Sequence, residues 1–302
     1  RYWAQAEAEL AGSGIELVRI ATGGSMAHID WLAAHTPHGG VVAVDGQVLA
    51  LASAKALREA LDRAGASLRS DVDLIQSVWA GRPGLPTAPV YAHAEAFATT
   101  PRAAKLAMLR EAMLAQGATH HFVSTVDDIA WITNLRGSDV AYNPVFLAHL
   151  LVAADAAQLF VGDDKLPPEL AAALAADGIA LAPYATAGDA LAALGAEATL
   201  LVDPRRITLG LRERAAGCSV VESTNPSTLA KARKTDAEAA HIRAVMVDDG
   251  VAMCHFYAWF EQALARGDRI SEITVGERLS AERAQRPGFV GLSFPVIAGF
   301  NA

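Results

Sequence analysis

The chain has 302 residues, enough for about two domains of ordinary size. Its 52% hydrophobic and 19% charged residues describe an alanine-rich soluble globular protein. A net charge of −8 argues against nucleic acid as a partner, because phosphate binding needs a basic surface, and no apolar run reaches the roughly 20 residues of a membrane helix. The two cysteines, Cys218 and Cys254, imply no disulfide framework and favour a reducing compartment, taken here as the cytoplasm.

In chain order, "RYWAQAEAEL" predicts a helix, "IELVRI" and "VVAVDG" predict strands, and Ala54 to Ala64 predicts a second helix. "ALREALDRAG" (Ala56 to Gly65) resembles "MLREAMLAQG" (Met108 to Gly117). Each reads as an amphipathic helix stopped by a glycine, which adopts the left-handed conformation cheaply, and each precedes a candidate strand. Between them, "WAGRPGLPTAPVY" (Trp79 to Tyr91) carries three prolines and two glycines, which forbid a helix and break a strand ladder. It reads as a linker between two α/β domains.

Beyond the linker, strands at "HFVST", "FLAHLLVAA", "AQLFVG", "GIALAPY", "ATLLVDP" and "CSVVES" alternate with helices near 101–116, 127–134, 167–177 and 186–194. Such alternation predicts an α/β layer with a mostly parallel or mixed sheet. The texture changes at "NPSTLAKARKTDAEAAHIRAV", where Thr235 and Glu238 form a capping box for a long helix. Ile242, Val245, Ala252, Phe256 and Phe260 fall near helical spacing and predict one buried stripe. A second helix follows over about Ser271 to Gln285, and "FVGLSFPVIAGFNA" reads as a final strand. Two helices and one apolar strand do not close a core, so this third unit is expected to be incomplete.

No G-x-S-x-G, H-E-x-x-H, P-loop or G-x-G-x-x-G pattern is present. His120 and His121 are adjacent, so on a strand they face opposite ways and do not readily share a metal. Asp127-Asp128, Asp163-Asp164 and Asp248-Asp249 read most simply as caps, turns or solvated faces, the first pair at a helix N-terminus where negative charge is favourable. The stretch "NLRGSDVAYNPVF" (Asn134 to Phe146) stands apart. It is longer than the about two to six residues of a plain αβ connection, and it carries Arg136, Ser138 and Asp139. Gly137 could end the preceding helix, and Arg136 could pair with Asp139. The stretch is either a charge-stapled loop or the rim of an interface or site.

These residues, with "SVWAGRP", "DDIAWITNLRGSDVAYNPVF" and "FVGLSFPVIAGFNA" in this order and spacing, resemble the three-domain form of Xaa-Pro aminopeptidase, a creatinase/prolidase-like family. The resemblance runs the length of the chain. It implies an α/β fold class: two creatinase-like α/β domains with mixed sheets flanked by helices, then the first helices and strand of a pita-bread metallopeptidase domain. The implied boundaries are 1–82 for a partial first domain, 83–91 for the linker, 92–224 for the second domain and 225–302 for the start of the third.

The resemblance further implies two divalent ions, usually manganese, held by two aspartates, a histidine and two glutamates. Those ligands fall beyond the block matching Phe289 to Ala302, so neither metal ligand nor catalytic residue is expected here, and the 302 residues alone are expected to be inactive. The substrates implied are peptides with proline in second position, and the implied assembly is a homodimer. Arg1 matches an arginine that contributes to substrate binding. Trp79, Arg82, Arg136, Ser138 and Asp139 are candidates for a domain interface, a subunit interface or the rim of the site. Two alternatives stand beside this one. The chain could belong to a pita-bread-type module that binds proteins without catalysis, which the sequence after Ala302 would distinguish, or to a prolidase- or creatinase-like hydrolase.

Overall fold

A break between Arg82 and Pro83, inside the proline-rich span, divides the chain. One unit comprises the chain up to Arg82 together with Thr208–Glu213; the other comprises Pro83–Ile207 and the chain from Arg214 onward. The computed structural model describes residues 2–20 and 26–300.

The first unit contains helices α1 (Tyr2–Leu10) and α2 (Ala27–His35), strand β1 (Val41–Ala43), helix α3 (Leu51–Arg63), strand β2 (Ser67–Arg69) and helix α4 (Leu74–Val78). β1 and β2 pair in parallel, from Val41 opposite Ser67 to Ala43 opposite Arg69. The apolar stripe of α3 supplies Leu57, Ala60 and Leu61, which close a small core with Ile29 of α2 and with Val42 and Leu68 of the strands. Thr208–Glu213 returns to this unit through two backbone bonds, Leu209 N–H to the Leu49 carbonyl and Gly210 N–H to the Gly46 carbonyl, each 2.8 Å. Ile15 to Ile20, expected as a strand, is irregular. Its β-branched residues suit a sheet, but no described strand lies beside it to complete a ladder.

The second unit opens with strand β3 (Tyr91–Ala92), helix α5 (Arg102–Ala115), strand β4 (His120–Val123), helix α6 (Val126–Thr133) and strand β5 (Leu135–Arg136). Strands β6 (Ala148–Ala153) and β7 (Ala157–Val161), helix α7 (Pro168–Ala176), strand β8 (Ile179–Pro183), helix α8 (Ala187–Ala192) and strand β9 (Thr199–Val202) follow. Helix α9 (Leu209–Arg214) lies mostly in the first unit; then come β10 (Ser219–Glu222), α10 (Pro226–Ala232), α11 (Asp236–Arg266) and α12 (Glu272–Ala284).

Six of the strands form one mixed sheet in the order β10-β9-β4-β6-β7-β8. β10, β9 and β4 are parallel, β6 runs antiparallel to both β4 and β7, and β8 is parallel to β7. Leu106 and Leu109 of α5, Ile129 and Ile132 of α6, and Leu174 of α7 bury against Val123, Leu150, Val152 and Leu159 on one face. Alternation along the strands turns Phe122 and His149 to the other face, where the His149 ring lies 5.4 Å from Phe122 and 4.8 Å from Tyr184. The expected α/β class with a mixed sheet flanked by helices is what forms.

Helix α11 begins at the predicted capping box, with Thr235 accepting from the Glu238 amide and Glu238 accepting from the Thr235 amide. Asp249 in mid-helix, one of the acids read as a cap, turn or solvated face, pairs instead with Arg283 of α12 at 2.7 Å. The expected buried stripe is only partly realised. Ala252 and Phe256 are buried, whereas Ile242 and Val245 are exposed, because α12 is the main partner of α11 and covers a limited length of it. Residues 289–300 do not form the expected strand, since their backbone meets no ladder partner among the described residues.

Candidate functional site

Helix α6 and the segment just before it carry three buried polar side chains, Thr125, Asp128 and Thr133, and the connector after α6 adds the buried carboxylate of Asp139. At the N-terminus of α6, the Asp128 side chain is fully buried and Asp127 is exposed. Lys231 of α10 pairs with both, the Asp128 contact being 2.8 Å. Asp128 also accepts from the Thr228 hydroxyl at 2.7 Å, and Asn225 donates to Thr125 at 3.1 Å. This network ties α10 to the helix dipole of α6. Nearby His121 is buried, with Nδ1 at 3.0 Å from the Leu201 carbonyl, an ordinary hydrogen-bond length. Burial lowers its pKa, opposed by that hydrogen bond and by Asp128 and Asp203.

At its C-terminus α6 is stopped by Asn134 in the left-handed conformation (φ 52°), not by Gly137 as its sequence suggested. Three cations serve the last carbonyls. Arg102 donates to Thr133 at 3.1 Å, Lys105 to Trp131 at 2.7 Å, and Arg136 to Ala130 at 2.9 Å. Positive charge is stabilising at this end of a helix. Lys105 also donates to Asn134 Oδ1 at 2.6 Å and lies 4.3 Å from the Trp131 ring centroid. Burial draws its pKa down to about 8; Glu238 opposes the shift and Arg136 reinforces it.

The connector then turns back on itself. Gly137 is required by close approach, since a Cβ there would stand 2.7 Å from Cβ of Phe146. Asp139 N–H donates to the Val145 carbonyl at 3.1 Å, Val140 bridges Asn143, and Tyr142 at the tip has φ 64°. Ser138 is exposed. Asp139 does not pair with Arg136, which is turned back over α6. Its fully buried carboxylate pairs with Lys165 and accepts from the Leu147 amide at 2.7 Å. Lys165, only 2% exposed, also donates to the Pro86 carbonyl at 3.3 Å, while its own carbonyl accepts from the Val90 amide at 2.8 Å. Asp139 and Lys165 therefore fasten the end of the proline-rich span to the connector.

In the first unit, Arg82 pairs with Asp73 at 2.6 Å, and Asp73 caps α4 through the Gln76 amide at 2.9 Å. Trp79 beside them is half exposed. Arg1 lies outside the described residues. Among the described residues, no group of three or more His, Cys, Asp and Glu side chains is placed to hold a metal ion, so no metal-assisted step is derived from them.

Residues 81–238 match the Creatinase/Prolidase N-terminal domain. The chain belongs to that family. Among curated relatives of this creatinase/prolidase chain, the Probable Xaa-Pro aminopeptidase P of Verticillium alfalfae is 34% identical, over 90% of this chain and 46% of its own length. Aminopeptidase P2 of Arabidopsis thaliana is 32% identical over 100% of this chain and 47% of its own. The chain thus spans about half the length of the curated relatives it matches. In fold it is similar to the X-prolyl aminopeptidase of Caenorhabditis elegans, described as a cytosolic enzyme with a di-nuclear active site. The TM-score is 0.89 at 24% identity, covering 97% of this chain and 49% of the other.

Lys165 and Lys105 were not apparent as site residues from the sequence. Lys105 had a local signal, a cation four residues before Leu109 on the apolar stripe of α5. Lys165 had none, because its partner lies 26 residues away. Lys105→Met is expected to lower stability by about 1.5–3 kcal/mol, the range for hydrogen bonds to a charged group. Urea unfolding at pH 7 reads this. Since the unfolded lysine keeps its proton to near 10.5, wild type should gain on the variant as pH rises from about 8 to 10.5.

Proposed function

We propose that this chain supplies the substrate-access and dimerisation elements of a metal-dependent Xaa-Pro aminopeptidase. Such an enzyme removes the first residue of peptides with proline in second position. The observation that carries the reading is 34% identity to an Xaa-Pro aminopeptidase P over 90% of the chain. An X-Pro amide lacks an N–H, so a dedicated enzyme is needed where general peptidases rely on that donor. Paired divalent ions, proposed as manganese and held outside these 302 residues, would supply a positioned water and charge stabilisation for an attacked carbonyl.

The proposed division is a first domain over 1–82, a linker over 83–91, a second domain over 92–224 and the beginning of a pita-bread domain over 225–302. Arg1 is proposed to contact substrate. Trp79, Arg82, Arg136, Ser138 and Asp139 are proposed to shape an interface or the rim of the site in a cytoplasmic homodimer. A protein of the relatives' full length, supplied with manganese, is expected to release arginine from Arg-Pro-Pro, while the 302 residues alone do not. No release by the long form would overturn the activity, and turnover by the 302 residues would overturn the placement of the metal ligands outside them.

A further inference from the structure

The corner where β3 meets β5 gathers basic side chains from β5, α5 and α11 and from His93, just past β3. β3 and β5 pair antiparallel with Tyr91 opposite Arg136, and the His93 amide donates to the Asn134 carbonyl at 2.8 Å. The His93 ring lies 5.7 Å from Phe97, whose other neighbour is His241 of α11 at 4.5 Å. Lys105 of α5 reaches the same place through Asn134. Among the described residues Arg136 donates only through Nη1, and both acceptors are neutral backbone carbonyls, of Ala130 and Leu135. Neither Arg136 nor Lys105 meets a carboxylate within ion-pair distance among the described residues, although the chain carries 33 acidic residues against 25 basic ones.

Glu238 acts favourably on Lys105 from beyond ion-pair distance, but around Arg136 the arrangement is electrostatically incomplete. Lys105 and Arg136 repel, and the proton affinity of His93 is lowered first by burial and then by Arg136, Lys105 and His241. Arg136 presents a planar fork that suits a carboxylate better than any carbonyl. Tyr91 and Phe97 stay about two-fifths exposed beside it, so the corner opens to solvent along an aromatic edge.

We propose that this corner binds a peptide carboxylate, with Arg136 as the principal contact and His93 and His241 at its sides. The carboxylate is that of a peptide C-terminus or of an acidic side chain. This deepens the aminopeptidase reading by assigning the enzyme a preference among proline-containing peptides, and it rests on that reading for the peptide as occupant.

Binding to the 302-residue chain tests it without requiring turnover. Ring resonances of His93 and His241 would be followed by NMR as Ala-Pro-Ala, Ala-Pro-Glu-amide and Ala-Pro-Ala-amide are added. The expected result is saturable shifts with the first, the second or both, identifying the carboxylate source, and none with the third. Arg136→Gln should weaken binding about tenfold, the loss of one charge-assisted contact. Because Arg136 also caps α6, His241→Glu serves as a second variant; it places a carboxylate in the corner and should abolish binding while leaving the fold intact. Equal binding of all three peptides, no saturable shift with any, or undiminished binding by both variants would overturn the proposal. Failure of the long form to cleave Arg-Pro-Pro would instead leave a carboxylate site without the aminopeptidase, so the two readings fail separately.

Discussion

Asp139→Ala is expected to destabilise the chain by about 3–5 kcal/mol, the loss typical of removing one member of a buried ion pair. The Asp139 side chain is fully buried and Lys165 is 2% exposed, so the orphaned ammonium would have no solvent to turn to. The Leu147 amide would also lose its acceptor. Lys165→Met alone should cost a similar amount by stranding the carboxylate. The paired change, Asp139→Asn with Lys165→Met, should recover most of either loss, because it removes both charges and keeps an acceptor for Leu147. Urea midpoints of wild type, Asp139→Asn, Lys165→Met and the paired variant form a double-mutant cycle; additive losses would show that the pair does not act as a unit. In a protein of the relatives' length, Asp139→Ala should lower stability or dimerisation more than it alters metal binding.

This pair also shows where sequence reading reaches and where it stops. The capping box at Thr235 and Glu238 and the glycines at 65 and 117 act over a few residues, and the structure bears them out. The strands of the mixed sheet carried their own apolar patterns, so their existence was legible. Their order was not, since placing β9 between β4 and β10 depends on packing across some 80 residues of chain. Arg136 and Asp139 looked like a local pair because they are three residues apart. The close approach at Gly137 instead folds the connector back, sending Arg136 onto the carbonyls of α6 and Asp139 toward Lys165. The α11 stripe was misjudged for a related reason. Periodicity says which residues share a face, but burial depends on what covers that face, and Ile242 and Val245 remain exposed.

Stability is expected to fall as pH drops from about 6.5 toward 4, with His149 the leading contributor. Its ring is enclosed between Phe122 and Tyr184, Nδ1 is buried without a partner among the described residues, and burial pushes its pKa down to about 4. The unfolded imidazole takes up a proton near 6.5, so below that value the unfolded state binds more protons and gains relative to the folded state. Above it the histidine is neutral in both states and contributes no pH dependence. A shift of this size corresponds to up to about 3 kcal/mol once the pH is below both values. His121, also buried with a lowered pKa, acts in the same direction, so His149→Phe should flatten the acid limb without abolishing it. The phenyl ring keeps the aromatic stack while removing the titrating group, so stability at pH 7.5 should change by less than about 1.5 kcal/mol, as for a near-isosteric core exchange. Urea unfolding of wild type and His149→Phe across pH 4 to 7.5 separates the possibilities. Parallel curves would exclude His149 as a source of the acid sensitivity, whereas a wild-type curve that falls more steeply below pH 6.5, so that the variant gains on it toward pH 4, identifies it.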